Sequence, residues 1–171
     1  PDTMIQIVTN GLLIPKLSQE IWDAIHENQI VVSISEYEPT HRMIDQITAI
    51  LEKNDIAYML RPYESKTKFI KPLSLIPNSK YEKECISNGC INIWNGKIAR
   101  CPNLMYIARF NEVFRTTLPN EGIYNLDQVD GKEILQLMKQ KIPLCDYCIH
   151  NEISWKSCGD TPAIDDFAEE D

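Results

Sequence analysis

Several familiar markers of function are scarce or missing in this chain. Aromatic residues make up only 8% of its 171 residues. Its three histidines, His26, His41 and His150, sit far apart in sequence, so no histidine-rich metal motif is encoded. No apolar run approaches the roughly 18 residues of a membrane span. No phosphate-cradling glycine loop and no Ser/His/Asp set is visible, and there is no internal repeat. A basic excess is also missing. The net charge is −8, and six of the acids (Asp160, Asp165, Asp166, Glu169, Glu170 and Asp171) crowd the last twelve residues. Without them, 17 bases face 19 acids and the body is near neutral. The composition therefore argues against a nucleic-acid surface and against a membrane segment. The acidic block reads as a solvated, mobile terminus, because like charges repel.

Cysteine is what the chain does have. Six of them fall between residues 85 and 158: Cys85, Cys90 and Cys101, then Cys145, Cys148 and Cys158. Cys145-Asp146-Tyr147-Cys148 is a C-x-x-C pair, which turns two thiolates toward one centre. The Asn95-Gly96 turn brings Cys101 to the end of a hairpin. Four soft sulfur ligands suit zinc or an iron–sulfur cluster. A disulfide framework is the third alternative. It fits short secreted chains that lack a core, whereas this chain is 43% hydrophobic and long enough to bury one. The pattern thus argues for a reducing, cytoplasmic setting. Since four ligands suffice, Cys90 and Cys158 are the candidate free or alternative thiols. His150 is the one histidine placed to reach such a centre, with Cys101 the better fourth ligand. Trp94 and Trp155 are expected to pack against it.

The first sixty residues alternate in type. Residues 4–8 read as a short buried strand. Ser18 caps a helix to about Asn28, with Ile21, Trp22 and Ile25 inward. Residues 30–35 read as a second strand, apolar on both faces. Thr40 caps a helix striped by Met43, Ile44, Ile47, Ile50 and Leu51, and Asn54-Asp55 ends it. Residues 56–60 form a third strand. The order strand–helix–strand–helix–strand predicts a parallel sheet with right-handed crossovers. Residues 61–80, with Pro62, Pro72 and Pro77, read as an irregular linker. Beyond it, Asn95-Gly96 between residues 91–94 and 97–99 predicts a type I′ hairpin. Helices are expected over about 104–114 and, capped by Asp130, over 131–141 with Ile134, Leu135 and Met138 inward. Dense apolar periodicity is otherwise sparse over 85–158, so order there is expected to lean on a bound metal.

These residues resemble the radical S-adenosylmethionine superfamily. Ile7-Val8-Thr9-Asn10-Gly11 is similar to its strand ending in T-N-G, and Val32-Ser33-Ile34-Ser35 to the strand that follows. The cysteine half resembles the auxiliary-cluster extension called SPASM, or its shorter relative twitch. That extension opens with cysteine, nine to fifteen residues, glycine, four residues and cysteine. Cys85, Gly96 and Cys101 fit, with ten residues before the glycine. The C-x-x-C follows after a gap, as Cys145 and Cys148 do.

The resemblance implies a partial (β/α) barrel over residues 1–80, a small cysteine-rich α+β cluster domain over 81–159, and the acidic tail over 160–171. It implies one auxiliary [4Fe-4S] cluster held by Cys85 (or Cys90), Cys101, Cys145 and Cys148. It also implies S-adenosyl-L-methionine in the full-length enzyme, contacted by Asn10 and Ser33, and a peptide or small-molecule substrate. Arg61, ending a strand, lies where βα folds bind ligands, or is simply a surface arginine. Two family features are missing. The C-x-x-x-C-x-x-C of the catalytic cluster is absent, and so is the G-G-E-P segment. Nine residues separate Cys148 from Cys158, a spacing that departs from the full SPASM pattern and favours one cluster over two. The expectation is a C-terminal portion, inactive alone, with an open sheet edge that favours a homodimer through the first strand. The alternative is a non-catalytic zinc module on the same four cysteines.

Overall fold

The computed structural model describes residues 3–77, 85, 90–137, 139–154 and 161–169. Met138, Trp155 and Cys158, each singled out above, lie outside them. The chain is a mixed α/β protein that folds as two compact units, Pro1–Phe69 and Ile70–Asp171.

The first unit holds three strands: β1 (Gln6–Thr9), β2 (Val31–Ser35) and β3 (Tyr58–Arg61). β2 is central and pairs with both neighbours in parallel, with Val8 opposite Ser33 and Ser33 opposite Met59. The parallel sheet expected from the alternating elements is therefore observed. It stays open, and no barrel closes among the described residues. α1 (Gln19–Glu27) starts after Ser18 and stops at Asn28; α3 (Ile44–Lys53) stops at Asn54. Trp22 and Ile25 of α1 and Ile47 and Leu51 of α3 pack with Val32 and Ile34 into one core. Alternation sends Ser33 and Ser35 to the opposite face of β2.

Three details depart from the sequence reading. β1 is not buried: Ile7 and Val8 are 40% and 56% exposed, because β1 is an edge strand and the core takes its strand residues from β2 and β3. Ile21 is exposed at the flank of the α1 stripe. Thr40 does not cap the long helix. It sits in a separate short helix, α2 (Glu38–His41), where its buried hydroxyl donates to the Asn10 carbonyl. That bond ties α2 to the turn after β1.

β4 (Lys68–Ser74), most of which lies in the second unit, runs through the stretch read as a linker. Pro72 hid it, since proline disfavours inner strands. Its pairing with β9 (Ala168–Glu169) uses Leu73 and Ser74, beyond the proline. β8 (Cys148–Ser154) lies on the other side of β4. The acidic segment is accordingly not a solvated end throughout: Ala168 is 1% exposed, and Phe167 meets Phe110 and Phe114.

β5 (Asn92–Trp94) and β6 (Lys97–Ala99) form the expected hairpin. Asn95 and Gly96 carry φ of 48° and 69°, the pair of positive values that a type I′ turn requires. β7 (Ile123–Asn125) pairs with β6. α4 spans Pro102–Phe114. α5 spans Gly131–Leu137, and Asp130 caps it by accepting from the Lys132 and Glu133 amides. Leu135 faces solvent rather than inward, and α5 buries none of its described residues.

A second core joins Leu73, Ala99, Leu104, Met105, Ile107, Leu118, Ile142, Leu144 and Ala168. The cysteine-bearing region thus has more apolar packing than its periodicity suggested. Leu118, Ile142 and Leu144 contribute from outside the regular helices and strands, where no repeat could announce them. Gly122 is pressed against this core. Its φ is 103°, and a Cβ there would meet Ile142 Cγ2 at 3.0 Å and Leu104 Cδ2 at 3.3 Å. Gly122→Ala should destabilise the second unit by about 1–3 kcal/mol, read as a lower urea midpoint. An unchanged midpoint would mean that the backbone there moves freely.

Candidate metal centre

Three chain segments carry the candidate ligands. Cys101 ends the hairpin and is the N-cap of α4, with Pro102 as first helical residue. Proline suits that position because its missing N–H needs no partner. Cys145 sits at the middle of a 3₁₀ turn, Pro143–Tyr147, and Cys148 closes it, its N–H donating to the Cys145 carbonyl. Cys145 N–H in turn donates to the Ile142 carbonyl at 2.9 Å. The third segment supplies Cys85, itself half-buried.

Packing fixes the first two segments. Cys101 and Cys145 both lie against the second core. Each follows a buried core residue by one or two positions, Ala99 before Cys101 and Leu144 before Cys145. A polar tie reinforces them: Arg100, 9% exposed, donates from Nη1 to the Gln140 carbonyl, joining the residue before Cys101 to the loop before the 3₁₀ turn.

The thiols feel one another. Burial raises the Cys148 pKa from its ordinary 9.0 to about 11, and Cys101, Cys85 and Cys145 each add to the rise. Burial also raises Cys101. The amides of Leu104 and Asn103, in the first turn of α4, pull it back down without making a capping hydrogen bond; Cys85 and Cys145 push it up. Cys85, Cys101, Cys145 and Cys148 therefore share one neighbourhood. Cys90 is exposed and does not act on either raised thiol.

The four sulfurs do not close on a point. Among the described residues, no three His, Cys, Asp or Glu side chains stand in metal-ligand geometry. Mutual electrostatic influence reaches further than ligation, so the thiols can be neighbours and still be too far apart to bind one ion as they stand. His150 Nε2 lies 3.9 Å from Cys148 Sγ, and burial lowers its pKa. Trp94 does not pack into the cysteine group: it is 61% exposed and tilts against Tyr106, with ring centroids 6.4 Å apart.

The two residues proposed to contact a cofactor lie in the first unit. Asn10 Oδ1 accepts from the Leu12 amide at 3.2 Å, a turn bond, and its side chain is exposed. Ser33 is fully buried, and its hydroxyl has no hydrogen-bond partner among the described residues. Its in-register neighbours are Val8 and Met59, both half exposed. A buried hydroxyl without a partner is uncommon and costly. Arg61 is exposed at the end of β3.

No helix among the described residues is long and apolar enough to cross a membrane. No family model matches the chain, and no curated protein or solved structure matches it either.

The raised thiols give a pH dependence with a definite sign. A group that holds its proton more tightly when folded stabilises the fold fully below its unfolded pKa, and that contribution is lost as pH rises through the folded value. The metal-free protein should therefore lose stability between pH 9 and about 11, the window set by Cys148. Urea midpoints across that window would show the fall, and Cys148→Ala should flatten it. A midpoint that holds steady through the window in the parent chain would place Cys148 in water.

Proposed function

We propose that the chain is the C-terminal portion of a radical S-adenosylmethionine enzyme and binds one auxiliary [4Fe-4S] cluster through Cys85, Cys101, Cys145 and Cys148. The observation that carries this is the packing of Cys101 and Cys145 against one core, with Cys85 and Cys145 near enough to act on Cys101 and Cys148 and with Cys90 exposed outside the set. The open parallel sheet with Thr9-Asn10-Gly11 at the end of β1, and the orphaned Ser33 hydroxyl on β2, support the wider family reading.

The donor chemistry suits the group. Burial and neighbouring thiols raise Cys148 and Cys101, and only at Cys101 do backbone amides offset part of that rise. A multiply charged iron or zinc centre compensates the thiolates, and it takes the protons' place. Such a cluster supplies one-electron transfer when bound. The chain's own part is to bring the sulfurs from three segments, to exclude water with the Leu104–Leu144 core, and to aim the first amides of α4 at Cys101. Amides directed at sulfur favour the thiolate, which raises the affinity of that ligand for a cation. Asn10 and Ser33 are proposed contacts for S-adenosylmethionine in the complete enzyme, where a peptide or small molecule is the substrate.

Anaerobic reconstitution with iron and sulfide, beside a parallel loading with zinc, tests the proposal by metal and sulfide analysis. The expected result is four irons and four sulfides per chain, as the stoichiometry of a [4Fe-4S] centre requires. Alanine at Cys101, Cys145, Cys148 or Cys85 should each cut cluster content sharply, while Cys90→Ala should retain it. Stoichiometric zinc with no iron–sulfur uptake would replace the cluster by a structural zinc site. Cluster retained in Cys85→Ala but lost in Cys90→Ala would exchange the fourth ligand.

A further inference from the structure

The carboxyl ends of the three parallel strands carry a second group of polar residues. Glu36 follows β2 directly, and its amide donates to the Arg61 carbonyl at the end of β3. The Glu36 side chain is only 10% exposed. One oxygen lies 2.5 Å from Nδ1 of His41, the last residue of α2. Tyr63, just past β3, stacks on the His41 ring with centroids 4.6 Å apart and planes 20° from parallel. The Thr40 hydroxyl anchors α2 to the Asn10 carbonyl beyond β1. His41 is thus held by a hydrogen bond, a ring stack and an anchored helix, at the carboxyl edge where open parallel sheets take their ligands.

The chemistry follows from the bonding. A carboxylate can only accept, so the proton between the two side chains belongs to Nδ1. In the neutral ring that leaves Nε2 as a lone-pair acceptor. Half of the His41 side chain is exposed, and no described residue occupies Nε2. A ring held by a buried carboxylate on one nitrogen and open on the other is the arrangement of an oriented base.

We propose that His41 is a proton-accepting site for a hydroxyl- or amine-bearing small molecule, with Glu36 and Tyr63 as its positioning residues. Nε2 accepts a hydrogen bond from the ligand's O–H or N–H, and where the ligand is an ammonium ion its proton passes to Nε2 while the bonding pair stays on the now neutral ligand nitrogen. The imidazolium so formed is neutralised by Glu36, whose carboxylate keeps the Nδ1 hydrogen bond. No metal and no oxidant takes part, so this site stands or falls independently of the cysteine centre.

His26 provides an internal reference. Its side chain is 56% exposed against 50% for His41, but its Nε2 faces Asp55 at 3.4 Å. Diethyl pyrocarbonate is the probe, used on the full chain above the ordinary histidine range and read by peptide mass spectrometry. His41 should acylate severalfold faster than His26. Long-range proton–nitrogen spectra should show His41 with its proton on Nδ1. In Glu36→Gln the rate advantage should fall away while the His26 rate holds, and Tyr63→Ala should reduce it in part. Should Glu36→Gln fail to fold, the two measurements on the parent chain still decide. A proton on Nε2, or a His41 rate no greater than that of His26, overturns the proposal.

Discussion

The candidate centre depends on one physical event, the burial of apolar side chains from distant parts of the second unit in a shared core. Leu104, Ile142 and Leu144 are each at most 8% exposed and belong to the same cluster. Cys101 precedes Leu104 by less than one helical turn, and Cys145 follows Leu144 directly. Burying the leucines therefore carries the sulfurs with them. Full burial of each such side chain stabilises by about 1.5–3 kcal/mol. A half-buried thiol contributes less than these core side chains, so packing rather than sulfur chemistry sets the positions. Arg100 adds direction: its guanidinium has no carboxylate partner among the described residues and instead closes the gap to the Gln140 carbonyl. A charge-assisted bond in a buried place holds the two segments in register more firmly than a neutral one would.

The same burial sets the electrostatic state of the thiols. Low surrounding polarity disfavours each thiolate, and every ionised neighbour disfavours the next. Both effects act on Cys101 and Cys148 in the same direction. Only the first amides of α4 oppose them, and only at Cys101. Cys101 and Cys148 are therefore quiet as thiols and strained as thiolates. A cation reverses that balance, which is why soft ligands so placed are coupled to metal uptake and proton release.

Much of this was legible in the sequence where local chemistry dictates local shape. Val32 and Ile34 between helices striped by Trp22, Ile25, Ile47 and Leu51 announced a parallel βαβ unit. Asn95-Gly96 announced its turn, because few residue pairs tolerate two positive φ values. Asp130 announced its cap. What could not be read depended on distant partners. β4 contains Pro72 and becomes a strand through pairing with β8 and β9. Ala168 is buried amid acids because Leu73 lies beside it in the ladder. Leu118, Ile142 and Leu144 follow no period. The thiol grouping was legible as spacing but not as geometry: C-x-x-C fixes a turn, whereas the approach of Cys85 and Cys101 is tertiary.

Glu36 and His41 show the same limit from the other side. Five positions apart across a strand end and a short helix, they match no periodic template, and His41 reads in sequence as an isolated surface histidine. The fold makes them a pair, because α2 turns back over the end of β2 and Thr40 pins it to Asn10. Soft sulfurs gather on the hairpin, on α4 and on the 3₁₀ turn of the second unit, where an apolar core excludes water. Hard oxygen and nitrogen donors gather at the carboxyl ends of the strands in the first, where backbone groups and water compete. Thiol ionisation responds to burial and imidazole proton transfer to orientation, so each donor set stands in the surroundings that govern its reactivity.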